Sequence, residues 1–257
     1  EITIGASNSN VNVDNLTPAT RAACTALQSR GWVVVINGSV VSEYALSFNG
    51  SDEYVDCGTG LGDALGDNYA GSLTVSLWFK SGVTVGDDGL FDLGAFSGAY
   101  GKFFIKKSTT EIDFRLHGTT WNRYIPFTDT GNWHHVACVY ATGSEANSKI
   151  YLDGAAVAGT LSGSFPAASD MDFAGLRTNI GGYYSSTYVF LGEMDEVSVW
   201  NAALDADAVA AVYNAGSPIN LRENMGNYDN KTNLVSWWRM GDNDSGAGNF
   251  VTDVIAT

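Results

Sequence analysis

Cysteine, proline and charged side chains are all scarce in this chain of 257 residues. It has three cysteines and four prolines, and only 16% of its residues are Asp, Glu, Lys or Arg. Cys24, Cys57 and Cys138 have neither a CxxC spacing nor a matched histidine pattern, which argues against a disulfide framework and a zinc site. Three buried thiols are favoured, and a single Cys57–Cys138 bridge stays open as an alternative.

Basic residues are scarce as well. The 13 Lys and Arg face 28 Asp and Glu, which gives a formal net charge of −15. Nucleic acid and an anionic membrane surface would both be repelled, so an acidic surface in water or cation binding is expected instead. No apolar run reaches the roughly 18 residues of a membrane span, and no signal-peptide pattern is present. A start at Glu1 without Met is expected of a processed product or a piece of something longer.

What the chain has in quantity is glycine, with 30 residues, and hydrophobic residues, which make up 45%. From about residue 43, short strands alternate with turn residues, and this predicts an all-β sandwich or barrel. The predicted strands are Tyr44–Phe48, Tyr54–Cys57, Ser72–Lys80, Gly89–Leu93, Lys102–Lys106, Glu111–Leu116, Arg123–Phe127, His134–Tyr140, Lys149–Leu152, Asn179–Gly182 and Val189–Trp200. Alternation places Trp78, Trp133 and Trp200 in the core.

The two ends of the chain differ from this pattern. Residues 1–42 predict a small α/β appendage, with strands at Ile2–Ile4 and Trp32–Ile36 around a helix at Ala19–Ser29. After the strands, one helix is predicted at Asp205–Asn214, with Asp205 near its positive end. The tail, residues 217–257, is expected to pack on the sandwich of residues 43–216.

Several stretches in series carry a family resemblance. They are Leu46–Val55, Leu73–Lys80, Asn132–Ala137, Ile150–Gly154, Gly192–Asn201 and the short helix that ends Val212-Tyr213-Asn214. In this order and spacing they resemble the laminin-G-like/concanavalin A-like lectin family, which implies a jelly-roll β-sandwich. The flanking stretches Ala22–Gly38 and Leu234–Asp242 are similar to segments of phage and marine-virus structural proteins. The first is also similar to the end of some bacterial surface leucine-rich-repeat proteins.

The acidic run Glu193-Met194-Asp195-Glu196 is the candidate for catalysis. Glycoside hydrolases on this fold use alternating carboxylates on one strand, with a nucleophile and an acid/base about 5–5.5 Å apart. Alternation places Glu193, Asp195 and Val197 on one face, so Val197 replaces the third carboxylate. This favours a non-catalytic protein. The adjacent histidines His134 and His135 face opposite sides of a strand and cannot chelate one ion together.

A calcium site is implied by the resemblance. Asp52 lies in a turn, and Asp195 lies on a late strand that pairs near the opening hairpin in this family. Calcium takes six to eight oxygen ligands, which two carboxylates and turn carbonyls begin to supply. In the alternative interpretation Asp52 only forms a turn and Asp195 only accepts backbone hydrogen bonds.

A binding surface is the third candidate site. Six aromatic residues lie in or near predicted loops: Tyr100, Trp121, Tyr124, Tyr183, Tyr184 and Tyr188. Exposed aromatic rings suit a glycan, and they suit a protein interface equally well.

Three functions follow from these patterns. The first is a non-catalytic virion protein, a capsid decoration or a tail/fibre component, whose partners are other virion proteins, copies of itself or a cell-surface glycan. The second is a secreted bacterial carbohydrate-binding module or adhesin, located outside the cell or on its surface. The third is a glycoside hydrolase.

Overall fold

The predicted all-β sandwich is confirmed by the computed structural model. The structure describes residues 2–3, 34–36, 39–40, 45–83, 86–94, 102–117, 120–183, 188–240, 253 and 255. Two large antiparallel sheets face each other, and their inner faces form one hydrophobic core. Sheet A has the strand order β13-β12-β11-β6-β18-β19, with β4 also paired to β18, and sheet B has the order β14-β10-β9-β8-β7-β15-β5.

The strands of sheet A are β4 (Leu46–Asn49), β6 (Leu73–Ser81), β11 (Trp133–Tyr140), β12 (Lys149–Leu152), β13 (Ala155–Val157), β18 (Leu191–Trp200) and β19 (Leu234–Trp238). Those of sheet B are β5 (Val55–Asp56), β7 (Asp88–Gly94), β8 (Phe103–Lys107), β9 (Glu111–Leu116), β10 (Trp121–Pro126), β14 (Thr160–Gly163) and β15 (Arg177–Ile180). A short hairpin pairs β16 (Gly182–Tyr183) with β17 (Tyr188–Val189), and the helices are α1 (Gly60–Leu65) and α2 (Ala206–Tyr213).

Alternation builds the core as expected. On β6, Leu73, Val75, Leu77 and Phe79 are fully buried between the sheets. Burying an aliphatic or aromatic side chain of this size contributes about 1.5–3 kcal/mol, so four in one strand fix which face turns inward. A slip of one residue in register would turn all four to the opposite face.

The outer face of sheet A carries a second core. Helix α2 and the chain leading to β19 cover it, with Trp200 and Tyr228 fully buried between them. The Trp200 indole N–H donates to the Tyr228 hydroxyl at 3.0 Å. Helix α2 begins after Asp205, whose carboxylate accepts the Ala208 N–H at 2.8 Å and caps the helix. The tail thus adds β19 to the sheet as well as packing on it.

Two predictions from alternation are wrong. Trp133 is 39% exposed because it lies at the start of β11, on the outer face of sheet A rather than in the core. Val197 is in the core and not on the face of Glu193, because Glu196 adopts a left-handed backbone (φ 52°) and the β18–β6 register shifts between Asp195 and Ser198. Such a β-bulge adds one residue and reverses the alternation beyond it.

The remaining predictions concern the thiols and the N-terminal end. Cys57 and Cys138 are free, so the Cys57–Cys138 bridge does not form. Cys24 and the helix predicted at Ala19–Ser29 lie outside the described residues. Strand β1 (Ile2–Thr3) pairs in parallel with β2 (Val34–Ile36), which also pairs with β3 (Ser39–Val40). Within the described part, neither α1 nor α2 qualifies as a membrane-crossing helix.

Candidate functional site

A patch of polar side chains lies on the outer face of sheet B, where three strands end the sheet on one side. We call it the polar shelf, and it consists of Asp113 and Arg115 on β9, Asn122 and Tyr124 on β10, and Thr160 and Ser162 on β14. Asp113 and Arg115 face outward because their β9 neighbours Ile112, Phe114 and Leu116 lie in the core. The cross-strand register places the residues of β10 and β14 on the same face.

Two cross-strand rows give the shelf its geometry. In one row Tyr124 lies between Asp113 and Thr160, and in the other Asn122 lies between Arg115 and Ser162. Directly opposed residues in an antiparallel pair have Cβ atoms about 4.5–5.5 Å apart. One aromatic ring, an amide, a guanidinium group and two hydroxyls are therefore gathered on a surface three strands wide.

Asp113 holds the shelf together. Its carboxylate accepts the Arg115 Nε–H at 2.7 Å and the Asn122 amide at 3.2 Å, and Lys106 Nζ of β8 lies 3.8 Å away. Lys106 also forms a 2.8 Å ion pair with Asp87. Asp113 is only 1% exposed, and a buried carboxylate is stable only when it is paired and hydrogen-bonded in this way.

The β16–β17 hairpin lies beside the shelf, on the outer face of the neighbouring strands β7 and β8. The Tyr183 ring packs against Phe104 of β8 at a centroid distance of 4.3 Å, and Tyr188 stacks on Tyr183 at 4.4 Å with 6° between the rings. Gly89 of β7 makes the close approach possible, because a Cβ there would come within 2.8 Å of the Gly182 carbonyl carbon. The described part of the hairpin covers β7 and β8, and the outward side chains become more exposed from β9 through β10 to β14.

The shelf becomes more accessible toward the sheet edge. Thr160 and Ser162 are exposed, Arg115, Asn122 and Tyr124 are half-buried, and Asp113 forms the floor. Burial fixes the floor, whereas the ring and the donors above it can still reach a ligand. This arrangement suits a polyhydroxylated ligand, which needs a flat apolar surface and donors and acceptors at its margin.

The six predicted aromatic residues fall into three groups. Tyr124 lies on the shelf, and Tyr183 and Tyr188 form the hairpin stack beside it, with Tyr183 buried and Tyr188 half-buried. Trp121 is wrong as a surface residue. Its ring faces the core and is fully buried, and its indole N–H donates to Glu145 at 2.7 Å. Tyr100 and Tyr184 lie outside the described residues.

The two predicted calcium ligands are not brought together. The antiparallel pairing of β4 with β18 places Leu46 opposite Met194 at one end and Asn49 opposite Leu191 at the other. Asp195 lies just beyond the first end, and Asp52 lies just beyond the second. Asp52 accepts the Asn49 side-chain amide at 2.8 Å, and Asp195 accepts the backbone N–H of Glu196 at 2.8 Å. No group of three or more His, Cys, Asp or Glu suited to a metal ion is found among the described residues.

The β-bulge divides the acidic run on β18. Glu193 forms an ion pair with Lys80 at 2.8 Å on the outer face of sheet A. Glu196 is buried at the bulge, where it accepts the Trp237 indole N–H at 2.5 Å and pairs with Arg239 at 3.1 Å. The β-bulge thus sends these two carboxylates to different surroundings, and each has a structural partner.

On sheet B, Asp56 is also held by a cation. Burial raises its pKa, but the hydrogen bonds from Arg177 and from the backbone N–H of Gly58 outweigh this effect, and the net pKa is lowered. A carboxyl group with a lowered pKa is ionised at neutral pH and does not act as a general acid.

Comparisons with known proteins agree with this architecture. The profile of the concanavalin A-like lectin/glucanases superfamily matches residues 48–210, more than half of the chain. The chain belongs to this superfamily. No curated protein sequence matches it.

Solved structures of other proteins are similar to this chain at low identity. The carbohydrate-binding module CBM40 of the Ruminococcus gnavus IT-sialidase, bound to α2,3-sialyllactose, is 16% identical with a TM-score of 0.52, over 66% of this chain and 95% of that one. A candidate carbohydrate-binding protein of Bacteroides ovatus is 16% identical with a TM-score of 0.53, over 87% of this chain and 58% of that one. A SAP-like pentraxin of Limulus polyphemus is 19% identical with a TM-score of 0.48, over 68% and 82% of the two chains.

The sequence reasoning missed the polar part of the shelf. In Glu111-Ile112-Asp113-Phe114-Arg115-Leu116 the polar residues alternate with apolar ones, which shows that Asp113 and Arg115 leave the core on the same face. The pairing of β9 with β10 was not visible in the sequence, so Asn122 could not be placed beside them. Strand β14 was missed entirely because its four residues are all exposed and show no apolar alternation.

Proposed function

We propose that this chain is a non-catalytic glycan-binding protein and that the polar shelf is its binding surface. The observation that carries the proposal is the position of Tyr124. Its half-buried ring lies in register between the Asp113–Arg115–Asn122 network and the exposed hydroxyl of Thr160. A sugar ring stacked on Tyr124 would have donors on one side and hydroxyls on the other.

The surroundings of the carboxylates support binding over catalysis. Glycoside hydrolysis needs two carboxyl groups facing one substrate, one of them protonated. Asp113 is held by Arg115, Glu193 by Lys80 and Glu196 by Arg239. The superfamily includes both lectins and glucanases, so release of reducing sugar from β-glucan, arabinan or sialyllactose by the wild type, and its loss in Glu193→Gln, would contradict a non-catalytic role.

A glycan array tests the binding proposal. The wild type is expected to bind at least one glycan, Tyr124→Ala to lose that signal and Tyr124→Phe to keep most of it, because stacking needs the ring and not the hydroxyl. Met225→Ala, which removes an exposed apolar side chain outside the shelf, serves as the matched control. Equal binding by the wild type and Tyr124→Ala would overturn the proposed site.

The setting in which the glycan is bound is a second part of the proposal. We propose a virion structural protein, a capsid decoration or a tail/fibre component, because the stretches Ala22–Gly38 and Leu234–Asp242 resemble segments of such proteins. Its partners would be other virion proteins or copies of itself. Detection of the chain as a symmetric multimer on purified particles would support this setting, and its release as a monomer through an export signal would contradict it.

The fold shared with the CBM40 module favours a secreted bacterial carbohydrate-binding module as the alternative. Such a module is located outside the cell or on its surface and belongs to a longer protein. The glycan array does not separate the two settings, because the same shelf would bind in both. The particle experiment does separate them.

Calcium binding remains a prediction that accompanies the proposed function. Asp52 and Asp195 lie at different ends of the β4–β18 pairing, so each would bind an ion with neighbouring carbonyl oxygens and not with the other. An ion that binds only the folded state stabilises it by an amount that increases with the logarithm of the ion concentration above its Kd. Melting temperature is expected to rise in calcium relative to EDTA, and Asp52→Asn and Asp195→Asn should each lose part of this rise. An identical melting temperature in both buffers would contradict calcium binding.

A further inference from the structure

We infer that the outer face of sheet A carries a second surface, separate from the polar shelf, that binds a neutral polysaccharide through Trp133. This ledge consists of Trp133 on β11, Lys80 on β6, Glu193 on β18 and Ser47 on β4. It does not depend on the function of the shelf, because it lies on the opposite sheet.

Trp133 is unlike the other tryptophans of the described part of the chain. It is 39% exposed, whereas Trp78, Trp121, Trp200, Trp237 and Trp238 are at most 7% exposed. Exposing an indole ring to water forgoes the large gain that its burial would give. A ring placed at the start of a strand on an uncovered face is therefore available for stacking.

The cross-strand register aligns polar groups with this ring. Lys80 is directly opposite Trp133, Glu193 is opposite Lys80, and Ser47 is opposite Glu193. Adjacent strands are about 4.8 Å apart, so the four residues form a straight row roughly 14 Å long. This length matches a short oligosaccharide laid across the strands.

The row carries no net charge. Lys80 and Glu193 form an ion pair at 2.8 Å, and their side chains are 36% and 37% exposed. The pair therefore offers ammonium donors and carboxylate acceptors to hydroxyl groups without attracting a charged ligand. With a formal net charge of −15 on the chain, an anionic polysaccharide would be repelled as well, which leaves neutral sugars.

Helix α2 forms a wall beside the ledge. The neighbouring row of sheet A contains Trp78 and His135, and both rings pack against Tyr213 at the end of α2, at centroid distances of 5.6 and 5.9 Å. Among the described residues, the helix thus covers one row, whereas Trp133, Lys80 and Glu193 in the next row stay more than a third exposed. On the other side, the half-exposed side chain of Leu191 lies over Gly82, which follows β6, and it borders the ledge there.

The size of the ledge favours a sugar over a protein. A stable protein interface buries about 800 Å² on each partner. One half-exposed indole, one ion pair and one serine offer much less than this area. A sugar ring needs only the face of one aromatic residue and a few hydrogen-bonding groups at its margin.

The test is affinity electrophoresis of the full chain in native gels that contain mixed-linkage β-glucan, xylan, arabinan or galactomannan. At least one of the four is expected to retard the wild type. Trp133→Ala should weaken the apparent affinity for it by roughly tenfold or more, the loss typical of a central aromatic contact, and Trp133→Phe should restore most of it. Met225→Ala is the matched control for loss of an exposed apolar side chain.

A second measurement separates a direct contact from a folding defect. Because Trp133 is exposed, acrylamide is expected to quench part of the wild-type tryptophan fluorescence, and the retarding polysaccharide should protect that part. Equal mobility of the wild type and Trp133→Ala in all four gels overturns the proposal, whether or not the wild type is retarded. Retardation that survives in Tyr124→Ala but not in Trp133→Ala supports the ledge even if the polar shelf binds nothing.

Discussion

Inward and outward residues alternate along the strands of both sheets, yet the outer faces of the two sheets have different surroundings. On sheet A the outward residues include Trp200, and helix α2 and the chain around Tyr228 cover them to form a second core. On sheet B the outward residues Asp113, Arg115 and Asn122 form a hydrogen-bonded network that is left open toward β14. The covered part of sheet A contributes stability, whereas the open network on sheet B is the surface proposed to bind a ligand.

The largest expected effect concerns the covered face. Trp200→Ala removes a fully buried ring and leaves a cavity, so it should lower the free energy of unfolding by about 3–5 kcal/mol. Tyr124→Ala, on the open face, should lower it by less than about 1 kcal/mol. Urea denaturation of both variants measures the difference. Similar losses for the two variants would contradict the distinction between the faces.

The next largest expected effect is a loss of stability in acid, caused by His135, which is buried beneath helix α2. Burial lowers the pKa of His135 to about 4, against a smaller opposing effect of Asp153. Below its unfolded-state pKa of about 6.5 the unfolded chain binds a proton that the folded chain does not. The free energy of unfolding should therefore fall between about pH 6.5 and pH 4, by about 3 kcal/mol in total.

The matched variant for this prediction is His135→Gln, which cannot titrate and can keep a donor near Ser76. Its free energy of unfolding should fall less than that of the wild type when urea denaturation at pH 7 and pH 4 is compared. An equal fall in both proteins would mean that other groups cause the acid sensitivity.

A smaller effect is expected on the polar shelf. Asp113→Asn keeps the shape of the side chain but removes the charge that Arg115 and Lys106 face. Breaking hydrogen bonds to a charged, buried group costs about 1.5–3 kcal/mol, and the mobile guanidinium should also weaken glycan binding. Thermal melting and the glycan array measure the two effects. Unchanged stability together with unchanged binding would show that the network does not organise the shelf.

The smallest expected effect concerns the cap of helix α2. Asp205→Ala removes the acceptor of the Ala208 N–H and should cost about 1 kcal/mol. Asp207→Ala, in the first turn of the same helix but without the capping bond, should cost a few tenths of a kcal/mol. Equal shifts in melting temperature for the two variants would argue that helix charge, and not capping, secures α2 on sheet A.

Local patterns were sufficient to predict much of the fold. Strands β9 and β12 have the predicted limits, and α2 lies within the predicted Asp205–Asn214, because alternation, turn residues and a capping Asp are local signals. Trp133 and Val197 were misplaced because their surroundings depend on what α2 covers and on a bulge at Glu196. Neither feature has a local signature.

The candidate site was predictable only in part, for a similar reason. Tyr124 could be selected as an aromatic residue near a loop, but so was Trp121, which the strand turns inward. The network around Asp113 joins β8, β9 and β10, and no sequence pattern in this chain fixes how those strands pair. Strand pairing therefore decides which polar residues form a site.

Backbone amide chemical-shift mapping of the wild type with the strongest glycan from the array tests the central claim most directly. The claim predicts that the largest shifts fall on Arg115, Asn122 and Tyr124 and that they disappear in Tyr124→Ala. If no shift falls on β9, β10 or β14, or if the shifts are confined to helix α2 and the strands of sheet A, the polar shelf does not bind the glycan.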